Sequence, residues 1–214
     1  MDILAVTDIH GRAEKVRELV GTGLAEDADL VLIAGDVTNF GGGNEALNVL
    51  KPLLEAGRKL YAVFGNCDGR DVPKVLEGLG VLAHDRRVQI DGLGIVGLGG
   101  SNRTPFRTIW EFGEDEIRKV LARNHRPGDL ILSHVPPYGT KADLIRGGLH
   151  VGSRALREFI EEHRVPLVVT GHIHEARAVD RVGEAVIVNP GPLFRGYYAW
   201  ITVKNEVEVE LGRL

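Results

Sequence analysis

The sequence predicts a single α/β domain in which two mixed sheets pack together between flanking helices. Three observations favour this class. The first half alternates short apolar runs with helical periodicity, the rhythm changes to a hairpin near residue 87, and the tail is rich in alternating strands. Alternating strands and helices are typical of a parallel sheet covered by helices, and the later strands supply a second sheet.

The first half supplies three strand–helix units. Val16, Leu19 and Val20 recur at helical spacing in the first predicted helix, Gly57 ends the second, and Pro73 stands early in the third. The predicted strands span 3–7, 30–35 and 59–65, and the predicted helices span 12–20, 45–57 and 72–80.

The second half adds a hairpin around an Asp-Gly turn at 87–100 and a strand-rich tail. No linker, repeat or low-complexity segment interrupts the chain, so we expect one domain over residues 1–214. The remaining predicted elements are helices at 114–125 and 153–163, and strands at 129–134, 166–172, within 177–189, at 197–203 and at 206–211.

Composition narrows the function classes. The chain has 214 residues, 43% of them hydrophobic, and a formal net charge of −4. This charge disfavours duplex nucleic acid as a partner but allows a nucleotide substrate. One cysteine, no basic signal region and no apolar run of about 20 residues predict a soluble cytoplasmic protein without a membrane partner. An oligomer stays open, and the scarcity of Gln, Cys and Met favours a thermophilic source.

Polar residues follow the apolar strands, where open α/β sheets place their ligand sites. An isolated histidine there is usually a hydrogen-bonded structural residue, but five clusters in one chain favour a shared site. Asp, His and Asn donors suit Mn, Fe, Zn, Ni or Co rather than calcium, and unpaired cysteine argues against a structural zinc knot. Seven donors exceed the need of one ion, so two ions sharing a carboxylate are predicted. The candidate ligands are Asp8, His10, Asp36, Asn66, His134, His172 and His174.

These clusters, in their order, resemble the motifs of the calcineurin-like metallophosphoesterase family. The family pattern D-x-H, G-D, G-N-H-[DE], a lone His and G-H-x-H corresponds here to DIH (8–10), GDV (35–37), GNCD (65–68), His134 and GHIH (171–174). The resemblance implies a four-layer α/β/β/α sandwich, hydrolysis of a small phosphoester or nucleotide, and two divalent transition-metal ions, with Mn²⁺ foremost.

The resemblance also implies how the ligands divide. One ion takes Asp8, His10, Asp36 and His174, and the other takes Asp36, Asn66, His134 and His172, so that Asp36 bridges. Two ions lower the pKa of a bridging water, and the hydroxide attacks phosphorus. No Ser or Cys nucleophile is then needed.

The chain departs from the family at Cys67. In the family motif, the histidine at this position protonates the leaving oxygen and the next acidic residue, here Asp68, orients it. A thiol replaces imidazole poorly, so an inert Cys67 is preferred over a catalytic one. We therefore expect phosphodiesters with good leaving groups to be cleaved better than alkyl monoesters, with His150 as the first alternative proton donor.

Three further segments lie near the motifs in sequence. The glycine-rich loop 39–46 lacks a P-loop signature, the loop 99–106 carries an arginine suited to phosphate, and 135–154 is long enough to form a lid. The loop 39–46 is expected to be a mobile loop at the rim of the site, and a solvated loop is the alternative for 99–106. The candidate substrate-facing residues are Asn102, Arg103 and His150, with Arg195 and Tyr197 weaker.

Two rival functions stay open at this stage. A metal-binding interaction scaffold of the same fold would bind ions with little catalysis, but such relatives usually have damaged ligand sets. A DNA nuclease would be expected to carry a basic groove or a capping domain, and the sequence shows neither.

Overall fold

Thirteen strands and six α-helices make up the chain in the computed structural model, which describes all of residues 1–214. The strands are β1 (Asp2–Val6), β2 (Leu30–Ala34), β3 (Lys59–Val63), β4 (Arg87–Ile90), β5 (Leu93–Leu98), β6 (Ser101–Asn102), β7 (Glu111–Phe112), β8 (Leu130–Ser133), β9 (Leu167–Val169), β10 (Ala178–Val182), β11 (Ala185–Asn189), β12 (Tyr197–Val203) and β13 (Val207–Arg213). The helices are α1 (Ala13–Gly21), α2 (Leu24–Asp27), α3 (Gly43–Glu55), α4 (Val72–Gly78), α5 (Glu114–Asn124) and α6 (Arg154–Glu162). None of these helices is both long and apolar enough to traverse a bilayer.

Two large mixed sheets form, as predicted. The first has the order β13-β12-β1-β2-β3, with β1, β2 and β3 parallel and β12 antiparallel to β1. The second has the order β10-β11-β9-β8-β5-β4, in which β11, β9, β8 and β5 are parallel and both edge strands are antiparallel. A small third pair, β6 with β7, lies outside both sheets.

The central strands are buried on both faces, which explains their continuous apolar runs. In β1, Leu4 and Val6 pack toward the helices, whereas Ile3 and Ala5 belong to the core between the sheets. A third apolar cluster joins the second sheet to α5 and α6 and includes Phe159. Three cores separate four layers, so the predicted α/β/β/α sandwich is confirmed.

Local signals in the sequence explain several boundaries. Asp91 and Gly92 both have positive φ, 48° and 88°, which is the two-residue turn that matches the twist of a hairpin. Ser153 caps α6, since its hydroxyl accepts a hydrogen bond from the Leu156 amide at 3.1 Å. The four-residue α2 and the two-residue strands of the small pair were not predicted, because segments this short carry no periodicity.

Candidate metal centre

Five turns at the carboxyl ends of β1, β2, β3, β8 and β9 bring the predicted ligands to one edge of the sandwich. His10 Nε2 lies 3.1 Å from His174 Nε2, and the same nitrogen of His174 lies 3.1 Å from Asp8 Oδ1. On the other side, His134 Nε2 lies 2.9 Å from Asn66 Oδ1. The parallel strands of both sheets therefore deliver donors to a common point.

Asp36 stands between these two sets of donors. Its Oδ2 lies 3.6 Å from His10 Nε2 and 3.5 Å from His134 Nε2, and the residue is only 2% exposed. The other carboxylate oxygen accepts a hydrogen bond from the Cys67 amide at 2.8 Å. One oxygen of Asp36 is thus fixed by the backbone, and the other faces both sets.

The donor spacing fits a pair of metal ions. Ligand atoms within 4.8 Å of one another form two groups that share one carboxylate: Asp8 with His10 and His174, and Asp8 with Asp36 and His134. Metal–ligand bonds of about 2.0–2.1 Å place neighbouring donors about 3.0–3.4 Å apart. The 3.1 Å separations match this spacing, and nitrogen with carboxylate oxygen is the donor set of a transition metal.

His172 is one of two predicted ligands that neither group includes, Asn66 being the other. Its ring packs edge-on beside His134, with 5.1 Å between centroids. Burial, with the positive charge of His134, lowers the pKa of His172 to about 4. The imidazole of His172 is therefore neutral at pH 7 and keeps a lone pair, as a metal ligand must.

The ligand backbone is held in an unusual conformation. Asp8, His10, Asp36 and His172 all have positive φ, of 50°, 49°, 50° and 68° respectively. Non-glycine residues rarely adopt this region, each instance costs about 1–3 kcal/mol, and such residues cluster at functional sites. Four strained residues among seven predicted ligands indicate that the surrounding fold, and not local preference, sets the donor directions.

Charge interactions lower the pKa of Asp8 and raise that of His134. Burial alone would raise the pKa of Asp8, but hydrogen bonds with His10 and His174 hold it well below its ordinary value. Burial would lower the pKa of His134, yet the neighbouring Asp36 carboxylate raises it to about 9. Asp8 is consequently an anion at neutral pH.

Hydrogen bonds to neighbouring groups orient two of the predicted ligands. His134 Nδ1 donates to the Ala34 carbonyl at 2.7 Å, which leaves Nε2 directed at the site. Asp8 Oδ2 accepts from the Thr7 hydroxyl at 2.8 Å and from the His172 amide at 3.0 Å, so that Oδ1 remains for His174. Thr7 is a positioning residue that the motif did not mark.

A chain of hydrogen bonds orients Asn66 and was also missed by the sequence analysis. The Asn66 amide group donates to Thr108 Oγ1 at 3.0 Å, and that hydroxyl donates to Glu111 Oε1 at 2.7 Å. Since an ionised carboxylate only accepts, Glu111 fixes the direction of the hydroxyl and turns Asn66 Oδ1 toward His134. The T-x-x-E spacing of 108–111 was the one sequence signal, because it is the pattern of a capping box.

We expect Thr108→Val to weaken metal binding about tenfold, because the Asn66 amide loses the acceptor that orients it. Thr104→Val is the matched control, since Thr104 also donates to Glu111 but does not contact Asn66. Calorimetric titration of Mn²⁺ into chelator-treated protein measures the change. Equal weakening in both variants would contradict the proposed role of Thr108.

In the GNCD turn, Asp68 connects the loop after β2 to the loop after β3 through hydrogen bonds. The fully buried carboxylate accepts from the Thr38 amide at 2.7 Å, the Thr38 hydroxyl at 2.8 Å and the Gly65 amide at 2.8 Å. Burial and the charge of Asp36 nevertheless raise its pKa to about 6. Both oxygens are occupied by loop donors, so Asp68 positions the turns that carry Asp36 and Asn66.

Cys67 stands beside the site with its thiol protonated. Burial, with the negative charge of Asp36, raises the pKa of the Cys67 thiol. The Asn66 amide group lies 3.4 Å from the sulfur. A thiol in this setting is a poor nucleophile, because reactivity belongs to the thiolate.

The other predicted catalytic residues lie outside both donor groups. His150 Nδ1 is 2.7 Å from Oδ1 of the buried Asp143, within the 135–154 segment. Asn102 donates to the carbonyls of Val151 and Gly152 at 3.1 and 3.2 Å, so its amide holds this segment in place. Arg103 is exposed and its guanidinium makes no hydrogen bond. Substrate contact by these three residues stays a prediction.

Phe194 is a further neighbour that the sequence did not single out. Its ring packs edge-on against His10 and His174, with centroid distances of 5.5 and 5.1 Å. The Leu193 amide donates to the Thr7 carbonyl at 2.8 Å, which docks the turn after β11 onto the turn after β1. The turn formed by residues 190–196, the 190s turn, therefore forms one wall of the site.

A four-layer sandwich with Asp, His and Asn donors at the shared carboxyl edge of its sheets has the architecture of a metal-dependent phosphoester hydrolase. The sequence pattern of the family described as calcineurin-like phosphoesterase matches residues 1–176. The chain belongs to this family and is a metal-dependent phosphoric ester hydrolase.

Known proteins resemble the chain over its whole length. An uncharacterized protein of Methanocaldococcus jannaschii is 36% identical over 218 residues, covering 98% of this chain and 96% of the relative. A dimetal phosphatase from Danio rerio aligns with a TM-score of 0.68 at 14% identity, over 100% of this chain and 96% of that one. An archaeal phosphodiesterase aligns with a TM-score of 0.61 at 17% identity, over 100% of both chains. These two structures support the fold.

Proposed function

We propose that the protein uses two divalent transition-metal ions to hydrolyse phosphodiesters. It prefers substrates whose leaving group is acidic, such as a phenol, to alkyl monoesters, whose leaving group is an alkoxide. The observation that carries this proposal is the pair of donor groups sharing Asp8, with one oxygen of Asp36 facing His10 and His134. The two similar structures, a dimetal phosphatase and an archaeal phosphodiesterase, support it.

Each ligand has a role in this proposal. When bound, the ions would polarise the phosphoryl group and activate a water molecule for attack on phosphorus. Asp36 would hold both ions, and the strained turns fix the donor directions before substrate arrives. Mn²⁺ is the proposed metal, and Fe, Zn, Ni or Co suits the same donors. The remaining ligands divide as Asp8, His10 and His174 for one ion, and Asn66, His134 and His172 for the other.

The residue at position 67 sets the proposed leaving-group preference. A protonated thiol is a weak hydrogen-bond donor, and its raised pKa makes it a poor source of a proton. General acid catalysis typically contributes about 10²–10⁴-fold, and an alkoxide needs it far more than a phenolate does. Without imidazole at this position, aryl esters are the favoured substrates.

We expect Cys67→Ala to retain activity toward an aryl phosphodiester to within about threefold, because an inert thiol supplies no step. Cys67→His should raise kcat/KM for an alkyl phosphoester about tenfold or more, because it restores a proton donor. Metal content is measured in parallel for both variants. A Cys67→Ala enzyme that binds both ions but loses activity a thousandfold would make the thiol a working catalytic group.

Hydrolysis of bis(p-nitrophenyl) phosphate by chelator-treated protein tests the function itself. Activity should be absent after chelation and return when Mn²⁺ is added, and a panel of aryl and alkyl mono- and diesters then ranks the substrates. An interaction scaffold of the same fold would bind the ions and hydrolyse no member of the panel.

A further inference from the structure

A cavity of about 420 Å³ opens beside His174. Its walls come from the 135–154 segment, from the turn after β9 and from the 190s turn. The side chains that matter are Arg146, His174, Glu175, Arg177, Arg195 and Tyr197. No step of the proposed hydrolysis uses this cavity.

The cavity is cationic in a chain whose formal net charge is −4. It contains three arginines against one acidic residue, Glu175. Arg177 is a fixed wall, since it donates to the carbonyls of Pro190 and Gly212 and stacks over Tyr197. The guanidiniums of the other two arginines make no hydrogen bond: that of Arg195 lies over the Phe194 ring, and that of Arg146, whose side chain is 91% exposed, pairs with Glu175 only at 3.8 Å.

The cavity is continuous with the metal centre. His174 lines it and also lines a smaller cavity of about 280 Å³ that Arg12 and Asn39 border. Phe194 packs against His10 and His174 on one side and carries the Arg195 guanidinium 5.3 Å from its ring centroid. Two cavities that share His174 therefore lie next to the metal centre and offer room for substituents of a bound phosphoryl group.

We infer that the larger cavity binds a second anionic group, phosphate or carboxylate, on one ester substituent of the substrate. This inference rests on the proposed function. Arginine forks pair with both groups in a bidentate geometry, and such charge-assisted bonds are stronger than neutral ones. Arg146 and Arg195 supply the donors, and Arg177 and Tyr197 form the wall behind them.

Three substrates with one leaving group test the inference: the 5′-(p-nitrophenyl phosphate) of thymidine carrying a 3′-hydroxyl, a 3′-phosphate or a 3′-succinyl ester. The wild-type enzyme should favour one or both charged forms. Arg195→Gln and Arg146→Gln should each lower kcat/KM for the favoured form by about tenfold or more and change the 3′-hydroxyl form less than twofold. The preferred charged form identifies phosphate or carboxylate as the group bound.

Arg164→Gln is the matched control, because Arg164 is an exposed arginine before the amino end of β9, at the opposite edge of the sheet. Equal rates for all three substrates, or equal losses with all three in the Arg195 variant, would overturn the inference.

Calorimetric binding of thymidine 3′,5′-bisphosphate to chelator-treated protein separates the two proposals. Arg195→Gln should weaken this binding at least fivefold even if no ester is hydrolysed, and unchanged binding in that case would contradict the subsite.

Discussion

Asp36→Asn should lower kcat toward an aryl phosphodiester by at least about a thousandfold and reduce the affinity for both metal ions. The expected effect is large because one carboxylate oxygen faces His10 at 3.6 Å and His134 at 3.5 Å, and these two histidines belong to different donor groups. An amide is neutral and offers only one acceptor oxygen, which the Cys67 amide would share. Steady-state kinetics and metal analysis of the same preparation measure the two losses.

Asp27→Asn is the control for this change, because Asp27 is an exposed carboxylate at the end of α2. A His172→Ala variant gives a second comparison, since it should loosen one ion and spare the other. Full retention of both ions in Asp36→Asn would show that Asp36 does not bridge them.

Asp68→Asn should destabilise the fold by about 3 kcal/mol and weaken metal binding without touching a ligand. The carboxylate accepts from Thr38 twice, from Gly65 and, at 3.3 Å, from the Val37 amide. The side-chain NH₂ of asparagine would face loop N–H and hydroxyl groups that need an acceptor. Each buried donor left without an acceptor costs about 1–3 kcal/mol. Urea unfolding monitored by fluorescence measures the change in the free energy of unfolding.

Asp71→Asn provides the matched comparison, because Asp71 accepts a single amide hydrogen bond, from Gly43 at 3.0 Å, in the same region. We expect a loss below about 1 kcal/mol there. If Asp68→Asn unfolds at the same urea concentration as the wild type but loses activity, Asp68 acts in catalysis and does not serve mainly to hold the two loops together.

Much of the fold followed from local patterns. Strands such as β1 and β2 carry uninterrupted apolar runs because both faces are buried, and the Asp91-Gly92 pair specified its hairpin turn. The helix α2 and the pair β6–β7 could not be predicted, because they are held by neighbouring elements and not by periodicity. Tertiary contacts decide such short segments.

The site was predicted as a set of residue types after strands, but its geometry was not. Asn66 reaches Thr108 across 42 residues, and Asn102 reaches the carbonyls of 151–152 across about 50, so no local pattern reveals either contact. The positive φ of Asp8, His10 and Asp36 is likewise imposed by the packed turns. Sequence motifs therefore indicated the candidate ligands, whereas the residues that hydrogen-bond to these candidates could be recognised only from the three-dimensional fold.

The metal content of protein never exposed to chelator tests the central claim most directly. Mass spectrometry of the metals, with the protein concentration from amino-acid analysis, should give two transition-metal ions per chain in the wild type, and clearly fewer in Asp36→Asn. A fully active preparation that contains one ion per chain, or none, would contradict a dinuclear centre bridged by Asp36.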